Sequence, residues 1–179
     1  MRVCRIFRRC KYENKKVKFI VDAAVIAALY VVLTYLAAAF NLSSGVIQVR
    51  FSEALTILPV FTPAAIPGLF VGCILANALT GAVVIDVICG SIATLIGAVG
   101  AWLIGKYVMN RLKYAYFLAP LPTIIANAAI VPFVLRYAYG MQDAMLYMVL
   151  TVGLGEIISA GMFGVVLYLA IRSRASRLF

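Results

Sequence analysis

From Ala54 to Ile85 the chain carries no charged side chain. About 18 apolar residues are enough to cross a bilayer as a helix, so a run of this length rules out an ordinary water-facing surface. The rest of the chain agrees. It is 65% hydrophobic and only 12% charged, with mean hydropathy +1.07, where soluble domains are about a quarter charged. The expected fold class is an all-α integral membrane protein, and its 179 residues accommodate about six spans of roughly 20 residues with short loops.

The cations give the topology. Arg2, Arg5, Arg8, Arg9, Lys11, Lys15, Lys16 and Lys18 precede the first apolar run; Lys106, Arg111 and Lys113 surround one loop; Arg172, Arg174 and Arg177 form the tail. Only Arg50 and Arg136 fall elsewhere among the 16 Lys and Arg. Cations gathered at three places on one side follow the positive-inside rule. Both termini are therefore expected in the cytoplasm, which demands an even number of crossings. The net charge of +10 reads as this topology signal, with no nucleic acid as partner.

Six helical stretches are expected, at 19–40, 52–62, 66–80, 86–109, 117–139 and 144–171. Residues 1–18 form a basic cytoplasmic segment, 19–171 a single six-helix membrane domain, and 172–179 a basic cytoplasmic tail. The apolar part of 19–40 exceeds a usual signal-peptide core of about 7–15 residues, so it reads as an uncleaved span. Val46 to Arg50 looks extended. Pro59, Pro63 and Pro67 divide the uncharged run. The piece 52–62 is too short to cross upright and is expected to be tilted or partly re-entrant. Treating 54–80 as one re-entrant unit gives four spans with the same parity. Asp143 reads as the cap of the last helix. Ala76-Asn77-Ala78 is echoed by Ala126-Asn127-Ala128, as an inverted repeat of three helices would produce.

Chemistry must come from few residues. Histidine is absent and the four cysteines make no Cys-x-x-Cys pair, so neither a metal site nor a redox cofactor is expected. No Gly-x-x-x-x-Gly-Lys-[Ser/Thr] loop is present, so ATP would be hydrolysed by another chain and this one is not expected to be an enzyme. Glu156 is one of only six acidic residues and falls in the middle of the last apolar stretch. A carboxylate at that depth costs roughly 2.5 to more than 10 kcal/mol. It needs an internal cation or a ligand. Gly153 and Gly155 leave space beside it, and Ser159 shares its face. Asn77 and Asn127 lie inside apolar helices, suited either to bonding between helices or to a planar heterocycle. Gln48, Arg50, Ser52 and Glu53 gather where the first external loop meets the next helix. Arg50 and Glu53 read as a salt bridge or as a polar gate. Asp86 opens the following helix, as a dipole partner or a ligand contact. Ala23, Ala24, Ala27 and Ala28 form two overlapping Ala-xxx-Ala steps, which allow close helix approach inside the bundle or against a partner.

Ile47 to Pro59 and Phe61 to Asn77, with Leu118-Ala119-Pro120-Leu121-Pro122, Asn127 and Val152-Gly153-Leu154-Gly155-Glu156, closely resemble the queuosine-precursor transporter family, QueT, over about residues 17–172. That family looks like the substrate-binding S component of energy-coupling-factor (ECF) transporters. The resemblance implies an S-component-like six-helix bundle in the bacterial plasma membrane, with a T subunit and two ATP-binding subunits as partners. It places the Ala-xxx-Ala face of helix one, here Ala23, Ala24, Ala27 and Ala28, against the T subunit. The implied substrates are 7-deazaguanines such as preQ0, preQ1 or queuine, whose guanine-like edge, and the ammonium of preQ1, fit the carboxylates and amides above. The candidate substrate residues are Glu156, Asn127, Asn77, Glu53, Arg50, Asp86 and Gln48. The alternatives are a solitary proton-coupled carrier, or an S component for another small heterocycle.

Overall fold

The computed structural model describes residues 2–40, 49–109, 111, 112 and 114–174, with side chains from Lys15 onward. All regular structure among them is helical. Helix α1 spans Arg2–Ala39, α2 Ala65–Leu79, α3 Val84–Tyr107, α4 Leu121–Tyr137, α5 Met145–Glu156 and α6 Gly164–Ile171. A 3₁₀ helix, Phe51–Val60, precedes α2, and a π-helical segment, Ile157–Phe163, joins α5 to α6. Four stretches are long and apolar enough to cross a membrane: Lys15–Ala39, Val84–Tyr107, Ala115–Tyr137 and Met145–Ile171. Each falls within or over a stretch expected from hydropathy. The basic head is not a separate element, because α1 runs through it from Arg2.

The short segment at 52–62 resolves into the 3₁₀ helix. At about 2.0 Å rise per residue it is roughly 20 Å long, against a hydrocarbon core of about 30 Å. Its shortness is tolerated because it is inside the protein: Ser52 to Pro59 are all buried, where backbone groups are screened from lipid. Around it lie α1, α3, the π segment and α6. Pro59 breaks the usual α-helical ladder here, and 3₁₀ runs beyond three or four residues are uncommon without such support.

Chain direction follows from the contacts. Gly68 meets Ala23 and Gly72 meets Ala27, so α1 and α2 run parallel. Gly97 meets Thr123 and Gly100 meets Pro122, so α3 and α4 are antiparallel. Gly153 lies against Ala128 and Gly161 against Ile124, which makes α5 antiparallel to α4. The Arg50 backbone N–H donates to Ser159 Oγ at 3.0 Å, and Ala54 O sits beside Gly164, so the 3₁₀ helix runs parallel to the π segment and α6. Lys106, Arg111 and Arg172 therefore share one end of the bundle with the start of α1. At that end, Phe61, Tyr168 and Tyr116 stack with centroids 5.1 Å apart at each step.

Two local expectations change. Asp143 does not cap the last helix: α5 begins after Ala144, in extended conformation and without a side-chain cap bond. The Asp143 carbonyl instead accepts Arg136 Nη1 at 3.3 Å in an exposed turn. The Ala-xxx-Ala ladder also divides. Ala27 is buried and Ala23 half-buried against the α2 glycines, while Ala24 and Ala28 are exposed.

Close approach of α1 and α2 depends on Gly68. A Cβ there would come within 2.6 Å of Ala23 O and 3.1 Å of Ile26 Cβ. Gly68→Val is expected to cost about 1–3 kcal/mol through forced separation of the helices. Gly153→Ala, with only Ala128 Cβ at 3.9 Å, should be neutral or gain up to about 1 kcal/mol from helix propensity. Thermal unfolding of the two detergent-solubilised variants checks this; equal midpoints would contradict the packing argument.

Candidate functional site

Glu53 lies in the first turn of the 3₁₀ helix and is 2% exposed. Tyr30, fully buried on α1, donates its hydroxyl to Glu53 Oε1 at 2.6 Å. One turn on, Thr34 Oγ1 lies 2.9 Å from Ser52 Oγ and donates to Tyr30 O. The α1 face that carries Tyr30 and Thr34 thus holds the start of the 3₁₀ helix through polar side chains.

Glu156 approaches from the other side, as the last residue of α5 before the π segment. It is 8% exposed. Asn127, buried on α4, lines the same space as both Glu53 and Glu156. A slot lined by Arg50, Glu53, Gly90, Thr94, Asn127, Val131, Val152 and Glu156 joins these groups. Its clear volume is about 10 Å³, at the lower limit of roughly 10–15 Å³ that one water needs. Among the described residues, Glu53 Oε2 and Glu156 Oε2 are buried in it with no hydrogen-bond partner. Such groups cost about 1–3 kcal/mol each, more when charged, and native proteins rarely retain them without a reason.

Arg50 also borders a second, larger cavity of about 550 Å³. Thr34, Asn77, Thr80, Asp86, Val131, Tyr139 and Met141 line this vestibule. It sits at the ends of α1, α2 and α4 and the start of α3, opposite the basic end of the bundle. Asp86, in the first turn of α3 and buried, accepts the Tyr139 hydroxyl at 2.8 Å. Partial burial, and then this carboxylate, raise the Tyr139 phenol above its ordinary value. Asn77 Nδ2 reaches Cys73 Sγ at 3.5 Å. Gly90 separates Asn77 from Asp86: a Cβ there would lie 3.2 Å from Asn77 Nδ2 and 3.6 Å from Asp86 Oδ1.

Of the sequence candidates, Glu53, Asn127, Glu156 and Arg50 meet in the slot, and Arg50, Asn77 and Asp86 in the vestibule. Gln48 lies outside the described residues. The sequence reasoning missed Tyr30, Gly90, Thr94 and Tyr139. Tyr30 and Thr34 were detectable as a polar i,i+4 pair on an otherwise apolar helix; Gly90 and Tyr139 gave no such signal. A further cavity, about 640 Å³ between α3 and α4, is lined by residues such as Ile96, Leu121, Pro122 and Ile125. It offers apolar contact without recognition chemistry. Among the described residues no cluster of three potential metal ligands occurs.

The family described as QueT transporter matches residues 20–173, which include every element of the slot and vestibule. A protein of Lactococcus lactis subsp. cremoris (strain MG1363), named queuosine precursor transporter QueT, is 35% identical over 105 residues. That match spans 59% of this chain and 59% of the relative's length. No solved structure matches the chain.

The Tyr30–Glu53 bond is testable without any ligand. Tyr30→Phe keeps the ring and removes the donor, leaving both Glu53 oxygens without it. The expected loss is about 1–3 kcal/mol of stability, read as a lowered unfolding midpoint in detergent. Adding Glu53→Gln should recover part of it, since a neutral amide tolerates burial better. An unchanged midpoint in Tyr30→Phe would contradict the assignment.

Proposed function

The chain belongs to the QueT transporter family, and on that premise we propose that it is the substrate-binding membrane component of an uptake system for queuosine precursors. The observation that carries the reading is the buried slot, where Glu156 and Glu53 each keep an unpartnered oxygen beside Asn127. A carboxylate accepts two parallel N–H bonds from a 2-aminopyrimidinone edge, as it does from arginine. Glu156 takes that edge, and Asn127 completes the planar recognition. Arg50 and Glu53 form the gate, with Asp86 and Asn77 toward the outside; Gln48 is a candidate from the sequence alone.

The remaining topology follows from charge. The vestibule lies opposite the end that holds Lys106, Arg111 and Arg172, and the positive-inside rule puts that basic end in the cytoplasm. The vestibule then opens outward, both termini are cytoplasmic, and the chain traverses the bacterial plasma membrane six times, two traverses being the short 3₁₀ helix and α2. Energy comes from outside the chain, through an ECF-type T subunit and two ATP-binding subunits, so this chain performs no chemistry. The exposed half of the Ala-xxx-Ala ladder, Ala24 and Ala28, is the face left for the T subunit, since Ala23 and Ala27 are spent on α2.

Three measurements test this reading. Purified protein should bind a 7-deazaguanine, and Glu156→Ala should weaken binding by about 10- to 100-fold, the value of a hydrogen-bonded charge. Wild-type affinity in that variant would remove Glu156 from the site. Ala24→Leu with Ala28→Leu should abolish co-purification with the partner subunits and leave substrate binding intact, whereas Ala23→Leu with Ala27→Leu should destabilise the protein itself. Uptake into vesicles holding only this chain, driven by a proton gradient, would favour a solitary carrier instead.

A further inference from the structure

Slot and vestibule meet at Arg50 and carry more negative than positive charge. Their lining includes three carboxylates, Glu53, Glu156 and Asp86, against the single guanidinium of Arg50. The segment 41–48 contains no charged residue, so it adds nothing to this count. One guanidinium cannot neutralise three carboxylates, and the hydrogen-bond partner of Asp86 is the neutral Tyr139 hydroxyl. Arg50 lines both spaces, with the inner acids in the slot and Asp86 in the vestibule.

Charge surplus alone would be an acidic cluster with a solvated explanation. Two further observations point to a ligand. The inner carboxylates are buried beyond nine-tenths, both line the slot, and each has one oxygen without a hydrogen-bond partner. The slot's clear volume of about 10 Å³ is at the lower limit for a single water. Outside it, the vestibule of about 550 Å³ has room for a drug-sized ring system, and Arg50 and Val131 line both spaces. In a low-dielectric cavity an uncompensated charge attracts a counter-charge far more strongly than in water.

We propose that the site selects ligands that carry a positive charge, with an ammonium placed in the vestibule against Asp86 while the planar edge occupies the slot at Glu156 and Asn127. This rests on the queuosine-precursor reading and narrows it. Among 7-deazaguanines, those with an aminomethyl-type ammonium at C7 are substrates, and the 7-cyano compound, which has the same ring edge but no charge, is a poor one. Asp86 is the specificity-determining residue.

The test is a binding panel on the purified full chain in nanodiscs at pH 7: 7-aminomethyl-7-deazaguanine, queuine, 7-cyano-7-deazaguanine, guanine, and a cationic heterocycle without the deazaguanine edge. The two ammonium-bearing deazaguanines are expected to bind at least about tenfold tighter than the cyano compound, the equivalent of one modest ion pair. Asp86→Asn should bring that ratio to within about threefold, mainly by weakening the cations. Equal binding of the aminomethyl and cyano compounds to the wild-type protein overturns the charge selection and leaves the precursor reading standing. Binding of the unrelated cation with no deazaguanine bound overturns the precursor reading and keeps the charge selection. Binding of nothing in the panel overturns both. The wild-type comparison decides these outcomes even if Asp86→Asn fails to fold, and Tyr139→Phe, which leaves the carboxylate in place, should retain the preference for cations.

Discussion

The hydrogen bond from Tyr30 to Glu53 stands at the centre of the molecule, because it solves a problem that lipid makes acute. A 3₁₀ helix about 20 Å long has poor internal bonds and cannot span a bilayer core by itself. Here it is wholly enclosed, and its polar beginning is tied to α1 through Tyr30–Glu53 and Thr34–Ser52. With Oε1 satisfied from α1, the second Glu53 oxygen is left without a partner, and Glu53 shares its slot with Asn127 and Glu156. The bond that secures the scaffold thus also holds one wall of the slot.

Such enclosure requires helices to approach closely, and the chain achieves it with glycine where two backbones meet. Gly68 and Gly72 take the α1 alanines, Gly97 and Gly100 take Thr123 and Pro122, and Gly105 sits against Val60 at the inner end of the 3₁₀ helix. In lipid, where apolar side chains gain little by leaving their surroundings, van der Waals packing of this kind is the main attraction between helices. It also explains the divided alanine ladder. Two steps offset by one residue present two faces of one helix, and only one of them could be used inside the bundle.

The long spans were legible in the sequence because they depend on one variable, hydropathy over a window, and because the bilayer leaves few alternatives. The candidate site was legible in part for the same reason: Glu156 and Asn127 of the slot and Asn77 of the vestibule stand out where polarity is expensive. Glu53 and Arg50 were visible as a polar group, but their depth was not, since adjacency to a loop suggested the surface. The reason is the 3₁₀ geometry, which carries Glu53 inward while Arg50 remains half-buried at the rim. Periodicity reasoning assumes 3.6 residues per turn, and both irregular helices escape it. The cap assigned to Asp143 failed because its carbonyl and the Arg136 guanidinium meet in the turn, with the helix starting two residues later.

The irregular segments coincide with the chemistry. Glu53 belongs to the 3₁₀ helix, and Glu156 immediately precedes the π segment, while the regular helices supply Tyr30, Asn127 and Asp86 as fixed surroundings. π-helical turns recur at functional sites because they leave main-chain geometry that small shifts can alter. The two irregular segments are also joined directly, by the Arg50 N–H to Ser159 Oγ. Arg50 therefore has its backbone anchored beside Glu156 and its guanidinium between slot and vestibule. The two irregular segments thus meet at the residue that borders both the slot and the vestibule.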